Sequence, residues 1–357
     1  MESNHAPNGM VVTPHHLASQ SALAVLREGG TAIEAMVAAA ATVAVVVPHM
    51  NSIGGDGFWL IVPPQGDPIV IEACGALFNS PPPTQGVVSL ALLGVLDKLG
   101  VDGQHEGQFI HTTVEATKQA FQLRDEYITD PRFMSVDVES LLSSSNLFRM
   151  AQNIDFDHAS KINNGKGPAD TVWMGAMDDK GFCVSFIQSI YHEFGSRVLL
   201  PKTGILWHDR GAAFTLDQDH LLSLKPGKKP FHTLNPAAAR LHDGRIMVYG
   251  TRGGDGQSQT QAAVFHRYVI QKRPLQESVS LPRWLYGTTG SRSDESVKLE
   301  DRFSKDTVKY LRDRGHDIVM IPEYSELAGQ AGALVRHPDG ILEGAFDPRS
   351  NGSAAGF

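Results

Sequence analysis

A polar segment that ends at Thr171 limits the fold of this chain more narrowly than any other feature of its sequence. Gly167 and Pro168 break this segment, and a strand-like apolar run over residues 172–177 begins directly after Thr171. A hydroxyl residue at such a junction is placed to attack the peptide bond before it, here Asp170–Thr171. The freed threonine then carries a nucleophilic oxygen and its own base, because an α-amine has an unperturbed pKa of about 7.7–8.0. Ordinary loop–strand junctions share this local pattern, so the assignment depends on the rest of the chain.

The composition is that of a globular protein without a nucleic-acid surface. The 357 residues can form one large α/β unit or two closely packed halves, and 41% hydrophobic residues provide a sizeable core. A net charge of −8 argues against nucleic acid as a partner. Cys74 and Cys183 lie in apolar, strand-like stretches, so we expect buried free thiols and no disulfide framework.

Secretion and membrane insertion are not predicted. The first ten residues lack the basic and apolar regions of a secretory signal. The longest apolar run, over residues 35–47, is too short to span a bilayer. We therefore expect a cytoplasmic protein with no membrane partner.

Apolar periodicity and turn residues predict helices packed on strands in both halves of the chain. In the first half, helices are predicted over residues 14–28, 31–46, 85–100 and 111–129, strands over 58–62 and 69–74, and a polar linker over 145–168. In the second half, strands are predicted over residues 172–177, 182–189, 204–208, 236–242, 245–250, 317–321, 332–336 and 341–344, and helices over 257–272 and 304–314. This arrangement predicts a layered α/β sandwich.

The histidines do not form a recognisable metal motif. His105 lacks a second histidine at the helical spacing of a zinc protease, and no Cys-x-x-Cys occurs. We predict neither a metal site nor a cofactor.

Two positions in the second half are candidates for binding oxygen atoms of a substrate. Gly253 and Gly254 lie between a predicted strand and a predicted helix, where backbone N–H groups can form an oxyanion hole; a simple tight turn is the alternative. Arg210 follows the predicted strand 204–208 and can hold a carboxylate with two hydrogen bonds; an ordinary surface ion pair is the alternative.

Ser189 is a third candidate because of the hairpin in which it lies. The strands over residues 172–177 and 182–189 are joined by a turn that contains Gly181. The ends of the two strands therefore meet, and the Ser189 hydroxyl can reach the Thr171 oxygen. A hydrogen bond from Ser189 to the backbone is the plain alternative.

Together these features resemble the γ-glutamyltranspeptidase family of N-terminal nucleophile hydrolases over nearly the whole chain. The segments that resemble its large-subunit signatures are residues 29–40, 48–58 and 81–86. The positions that resemble its small-subunit landmarks are Thr171, residues 194–195, 204–206 and 235–236, Gly253, Gly254 and residues 347–349. The resemblance implies an α+β fold with four αββα layers. It also implies one structural unit made of a large subunit (residues 1–170) and a small subunit (residues 171–357).

The resemblance implies roles for the candidate residues. Cleavage between Asp170 and Thr171 makes Thr171 the nucleophile, with Ser189 beside it, and the N–H groups of Gly253 and Gly254 form the oxyanion hole. The implied partners are a small-molecule substrate and the two cleaved subunits, joined as a heterodimer that can itself dimerise.

Departures from the family pattern indicate the substrate. Where γ-glutamyl enzymes hold the ammonium group of glutamate with acidic and amide groups, this chain has Arg210 and Ala213. Tyr191 replaces an asparagine, and His232 with Thr233 replaces a serine pair. An arginine converts a cation-binding pocket into an anion-binding one. The pattern resembles the branch of the family that hydrolyses oxamate, with Arg210 on the carboxylate and the other three residues lining a small pocket.

A further departure lies in the large subunit. The family normally has a long, mostly helical stretch where only residues 76–80 remain, which indicates a deletion near residues 75–81 or a segment missing from the sequence. Two alternatives stay open. One is a γ-glutamyl hydrolase, transpeptidase or acylase that uses Asp209 or Asp255 as its acid, and the other is an inactive protein that stays uncleaved.

We predict that the purified protein consists of two chains, residues 1–170 and 171–357, because the Thr171 hydroxyl cleaves the bond before it. The Thr171→Ala variant lacks this hydroxyl and is expected to remain one chain. Intact-mass measurement of both proteins tests this. A wild-type chain that stays whole under folding conditions would support the inactive alternative.

Overall fold

The computed structural model describes residues 2–72, 79–161, 170–287 and 295–357. The helices are α1 (His16–Arg27), α2 (Ala32–Val46), α3 (Gly86–Leu99), α4 (Glu106–Tyr127), α5 (Val138–Leu141), α6 (Ser144–Gln152), α7 (Gly256–Phe265), α8 (Leu275–Ser280) and α9 (Lys305–Asp313). The strands are β1 (Asn4–Ala6), β2 (Met10–Thr13), β3 (Asp56–Val62), β4 (Ile69–Glu72), β5 (Asp170–Met177), β6 (Cys183–Tyr191), β7 (Leu199–Leu200), β8 (Ile205–Leu206), β9 (Ala237–Arg240), β10 (Ile246–Thr251), β11 (Trp284–Tyr286), β12 (Val297–Glu300), β13 (Ile318–Ile321), β14 (Ala331–Arg336), β15 (Leu342–Phe346) and β16 (Ser353–Gly356).

The first two helices form an outer layer, and their sequence explains why. Thr31 starts α2 with a capping box, in which its hydroxyl accepts from the Glu34 N–H and the Glu34 carboxylate accepts from the Thr31 N–H at 2.8 Å. The alanine-rich faces of α1 and α2 bury Ala22, Ala35 and Ala39 against each other and against one face of a sheet. The helices predicted over residues 14–28 and 31–46 are confirmed.

Two largely antiparallel sheets stack face to face behind these helices. One sheet has the order β16-β2-β5-β6-β3-β4 and the other has the order β1-β15-β14-β10-β9. Apolar residues from both sheets, including Trp173, Phe58 and Val248, fill the space between them. The outer face of the second sheet is covered by α7 and α8. The fold is therefore the four-layer αββα sandwich of the α+β class that was predicted.

A separate apolar cluster lies beside the sandwich. It joins α3, α4 and α6 to the small sheet β11-β12-β13 and to α9. Phe121 and Leu299 are fully buried in this cluster. The cluster anchors α3, whose first turn lies next to the candidate site.

Several sequence predictions need correction. The polar linker predicted over residues 145–168 is wrong at its start, because α6 occupies Ser144–Gln152 and packs Leu147 against Gly94, where a Cβ atom would lie 2.7 Å from the leucine. The strand predicted over 204–208 is reduced to Ile205–Leu206. The terminal strands β2 and β16, which pair with each other, were missed. The two strands lie at opposite ends of the chain, and local periodicity gives no signal for such a distant pairing.

Of the two cysteines, Cys183 lies within the described residues and Cys74 lies outside them. Cys183 is a buried free thiol, as expected, and burial raises its pKa to about 12. None of the helices in the described ranges combines the length and apolar character needed to cross a membrane.

The indole of Trp173 sets the alignment of the two sheets. Its Nε1 donates to the Ser185 hydroxyl at 2.9 Å, and its ring lies against Gly175, Gly250 and Gly332. A Cβ atom built on Gly250 would lie 2.1 Å from the indole, which is closer than real contacts allow. Glycine at these positions lets the sheets approach the ring.

We predict that Gly250→Ala lowers the free energy of unfolding by about 2–3 kcal/mol, because the added methyl group must displace Trp173 in a packed core. Urea unfolding monitored by tryptophan fluorescence measures this change. Gly211→Ala is the matched control, since no atom lies within 4 Å of a Cβ at that exposed position. Equal effects of the two substitutions would contradict the packing role of Gly250.

Candidate active site

Thr171 lies in the space between the two sheets. Asp170 pairs with Tyr191 and Val172 pairs with Gln188, so three residue steps along β6 match two steps along β5. The extra residue forms a β-bulge in β6, and the side chains of β5 alternate regularly between the two faces of the sheet. Thr171 therefore shares the inner face of β5 with Trp173. Its side chain is fully buried, and its Oγ1 has no hydrogen-bond partner among the described residues.

Ser189 and Asp56 lie on the same inner face as Thr171, at the same end of the sheet. Ser189 is fully buried on β6 and stands directly opposite Asp56 of β3. Its hydroxyl accepts from the Tyr191 N–H at 2.9 Å. Gly55 permits this arrangement, because a Cβ atom there would lie 2.2 Å from the Ser189 carbonyl oxygen.

The glycine turn after β10 also lies at the Thr171 end of the core. Along β10, Tyr249 contacts Ser185, and the next residue, Gly250, contacts Trp173, so the strand advances toward Thr171. Gly253 and Gly254 follow with φ values of +117° and +50°, which favour glycine.

The N–H groups of this turn remain available. Neither the Gly253 nor the Gly254 N–H donates a hydrogen bond within the described ranges of the chain. Both carbonyl oxygens are bonded. That of Gly253 accepts from the Gly256 N–H at 2.7 Å, and that of Gly254 accepts from Gln85 Nε2 at 2.7 Å and from the Gln257 N–H at 3.1 Å. The turn thus has two N–H donors without partners among the described residues, while hydrogen bonds to its carbonyl oxygens fix its conformation.

Arg210 forms a buried cation with two free donors. Its Nε donates to Asp56 Oδ2 at 2.8 Å, and its guanidinium carbon lies 4.2 Å from the centre of the Tyr191 ring. The side chain is 1% exposed, yet Nη1 and Nη2 have no hydrogen-bond partner among the described residues. A planar fork with two unsatisfied donors is suited to a carboxylate, which can accept both hydrogen bonds at once.

Asp56 was missed by the sequence analysis, although it interrupts the glycine run 54–57 and this interruption was a usable signal. Burial alone would raise the pKa of the Asp56 carboxyl, but the positive charge of Arg210 and its hydrogen bond outweigh burial and lower the pKa. The carboxylate is therefore ionised and holds the Arg210 fork in place.

His232 and Thr233 add polar atoms to the same region. His232 Nδ1 lies 3.9 Å from Asp56 Oδ2, and its ring packs on Phe58 with 5.0 Å between centroids. Burial and the positive charge of Arg210 lower the pKa of His232 to about 3, so the imidazole is neutral. His232 Nδ1 and Thr233 Oγ1 are buried without hydrogen-bond partners in the described part of the chain.

Tyr191 closes this group of residues. It has a φ of +79°, which is strained for a residue with a side chain, and this places its ring under Arg210. Burial raises the pKa of the Tyr191 phenol, although Arg210 opposes the rise, so the phenol is neutral. The structure thus brings Tyr191, Arg210 and His232 together around Asp56.

The acidic residues that a glutamyl substrate would require have partners of their own. Asp255 accepts from Arg124 Nη1 at 2.7 Å, and both side chains are almost fully buried. Asp209 is hydrogen-bonded to His192, the residue after Tyr191, with 2.7 Å between Asp209 Oδ2 and His192 Nδ1. Both carboxylates are therefore already engaged by groups of the protein.

One cluster outside this site has the composition of metal ligands. His111, Glu115 and His316 are buried together, with 2.7 Å between His111 Nδ1 and His316 Nε2. The Glu115 carboxylate pairs with the Lys118 ammonium at 2.7 Å. This neighbouring cation opposes the binding of a second one, so the contacts describe a hydrogen-bonded polar cluster. The sequence analysis did not identify it, because His316 lies 205 positions from His111, which shares α4 with Glu115.

Comparison with known proteins gives a consistent family. The family model for gamma-glutamyltranspeptidase matches residues 18–77 and 75–357. The chain is 43% identical to the oxamate amidohydrolase proenzyme of Klebsiella pneumoniae, with 99% of each chain covered. It is 37% identical to the glutathione hydrolase-like YwrD proenzyme of Bacillus subtilis, where 79% of this chain covers 54% of the relative.

The fold is similar to that of the cephalosporin acylase from Bacillus halodurans, with a TM-score of 0.86, 22% identity, and coverage of 100% of this chain and 97% of that chain. The alignment with the Klebsiella proenzyme is longer than this chain by 168 positions (525 − 357). The two segments that match the family model meet at residues 75–77.

We predict that His232 makes the protein less stable at acid pH. Its pKa is about 3 in the folded protein and about 6.5 when unfolded, so between these values the unfolded chain takes up a proton that the folded protein excludes. Wild type should therefore lose about 2–3 kcal/mol more than His232→Gln between pH 7.5 and pH 4.5, as measured by urea unfolding. The exposed His242→Gln serves as the control and should follow wild type. A parallel loss in His232→Gln would disprove the prediction.

Proposed function

This chain belongs to the γ-glutamyltranspeptidase family, and from that premise we propose that it is a self-processing threonine amidohydrolase whose substrate is a small amide bearing a carboxylate. Oxamate fits this description best, with oxalate and ammonia as products. The proposal is supported by the name of the 43% identical Klebsiella relative and by the residues around Arg210.

The observation that carries the proposal is the pair of free Arg210 donors. A buried guanidinium with two unbonded nitrogen atoms is costly unless an anion completes its hydrogen bonds. A substrate carboxylate supplies both acceptors. A glutamyl ammonium group would instead approach a buried like charge, while Asp255 is paired with Arg124 and Asp209 is hydrogen-bonded to His192.

Self-processing comes first in the proposed mechanism. The Thr171 hydroxyl attacks the carbonyl carbon of Asp170, and the Asp170 acyl group shifts from the Thr171 nitrogen to its oxygen as the C–N bond breaks. Water then hydrolyses the resulting ester. The products are a large chain that ends at Asp170 and a small chain that begins with the free amine of Thr171. We propose that the two chains stay associated, since β5 of the small chain lies between β2 and β6 in one sheet.

Hydrolysis then uses the new terminus. Arg210 binds the carboxylate of oxamate, and Thr171 Oγ1 attacks the adjacent amide carbon while the α-amine accepts the hydroxyl proton. The Gly253 and Gly254 N–H groups stabilise the oxyanion. The C–N bond breaks, and the amine returns the proton to the departing ammonia. Water, deprotonated by the same amine, attacks the oxalyl ester and releases oxalate with regeneration of Thr171.

We propose that a segment has been deleted from the large subunit. The meeting of the two family-model segments at residues 75–77, together with the longer alignment, supports a deletion near residues 75–81. The residues that build the candidate site lie outside this junction. We therefore propose an active enzyme and not an inactive paralogue.

We predict that Arg210→Lys reduces kcat/KM for oxamate about 100-fold or more, because lysine keeps the charge but loses the planar fork that binds a carboxylate. Cleavage at Thr171 should be unaffected, since it requires no carboxylate ligand. Ammonia release from oxamate, glutamine and glutathione measures the first effect, and intact mass measures the second.

The exposed residue Arg197 provides the control for this experiment, since Arg197→Lys makes the same change away from the site. Activity on oxamate should persist in that variant. Equal losses of processing and turnover in Arg210→Lys would show that Arg210 supports the fold instead of the substrate. Turnover of glutathione but not oxamate by wild type would favour the γ-glutamyl alternative.

A further inference from the structure

Gln85 is the N-cap residue of α3, but its side chain makes no capping hydrogen bond to that helix. It is fully buried, and its side-chain Nε2 donates to two carbonyl oxygens, that of Thr233 at 2.9 Å and that of Gly254 at 2.7 Å. Both partners are acceptors, so the amide can be oriented in only one way. The two hydrogens of the amide nitrogen are both used.

The backbone of Gln85 is held as firmly as its side chain. Its N–H donates to the His232 carbonyl at 2.9 Å, and the His232 N–H donates to the Pro83 carbonyl at 2.9 Å. The next residue, Gly86, packs so closely that a Cβ atom there would lie 2.0 Å from the Ser80 carbonyl oxygen. The side chain therefore extends from a rigid base.

Gln85 joins the two functional parts of the candidate site. One partner, Thr233, lies in the segment that is proposed to contact the substrate. The other, Gly254, belongs to the turn whose N–H groups are free. Peptide planes on either side of a glycine rotate easily. Here two hydrogen bonds restrain the Gly254 carbonyl, the shorter from Gln85 at 2.7 Å and the longer from the Gln257 N–H in the first turn of α7 at 3.1 Å.

We infer that Gln85 is a positioning residue that holds the Gly253–Gly254 turn against the His232–Thr233 segment, so that the two glycine N–H groups point at the oxyanion. This inference rests on the proposed function. It assigns Gln85 no contact with the substrate: the residue acts through Gly254. Donors that are already oriented stabilise an oxyanion better than donors that must be reorganised during the reaction.

Gln85→Glu provides a test with its own pH signature. An ionised carboxylate would face two carbonyl oxygens and repel both, whereas a protonated one can donate again to one of them. We expect kcat to fall about 100-fold at pH 8 with a change in KM below threefold, because the Arg210 site is intact. The ratio of variant to wild-type kcat should rise at least tenfold between pH 8 and pH 5.5.

Gln85→Met is the matched apolar variant. It loses the donor at all pH values, so its kcat ratio to wild type should be low and independent of pH. The exposed Gln152→Glu controls for added charge and should retain wild-type kcat. Urea unfolding and intact mass of each variant separate loss of folding or processing from loss of turnover.

The acyl-transfer step can be measured without oxamate. 4-Nitrophenyl acetate acylates an active threonine and releases a burst of nitrophenolate, for which Thr171→Ala gives the background. Wild type that shows this burst but releases no ammonia from oxamate would overturn the proposed substrate and leave the Gln85 test intact on the ester.

A pH-independent ratio for Gln85→Glu on either substrate, or a raised KM with unchanged kcat, would overturn the positioning role. Should Gln85→Glu fail to fold, Gln85→Met decides the matter at one pH: wild-type kcat in that variant contradicts the inference, and reduced kcat with unchanged KM supports it.

Discussion

The packing of the Trp173 indole between the two sheets is the contact on which the rest of the site depends. Three glycines, Gly175, Gly250 and Gly332, leave the space that this ring fills. Since Trp173 is two residues from Thr171, and Gly250 precedes the Gly253 turn, the same contact that aligns the sheets also aligns the proposed nucleophile with the proposed oxyanion donors. Close packing makes this alignment rigid, because a core at crystal-like density has few alternative arrangements.

Charge in the site is arranged around Asp56. A buried arginine requires a compensating anion, and Asp56 supplies it from the neighbouring strand end. The bond uses the Nε of Arg210 and leaves the two Nη groups without partners among the described residues. His232 stays neutral in this environment, so it adds polar atoms without adding charge. The net result is a buried group of polar side chains with one oriented cation, whose free donors favour an anionic group.

The two family-model segments meet at residues 75–77, which follow β4 and precede Asn79 along the chain. β4 is the last strand of its sheet, and the described chain resumes at Asn79, which forms a bridge with Ala237 of the other sheet. The strands that carry Thr171, Ser189 and Asp56 occupy inner positions of the sheet. A deletion near residues 75–81, as proposed above, would fall after the edge strand β4 and outside the strands that carry these residues.

Local patterns in the sequence were sufficient for α1, α2 and the β5–β6 hairpin, because each is specified by residues close to one another along the chain. They predicted that Thr171, Gly253 and Arg210 attack, donate and bind an anion, since these abilities belong to the residue types and their neighbours. Strands β2 and β16 were not identified, because their pairing joins the two ends of the chain. The same reason applies to the site. Only the tertiary structure decided that Asp56 directs the Arg210 fork and that Gln85 restrains Gly254, because these hydrogen bonds connect residues 154 and 169 positions apart, a separation that no local pattern encodes.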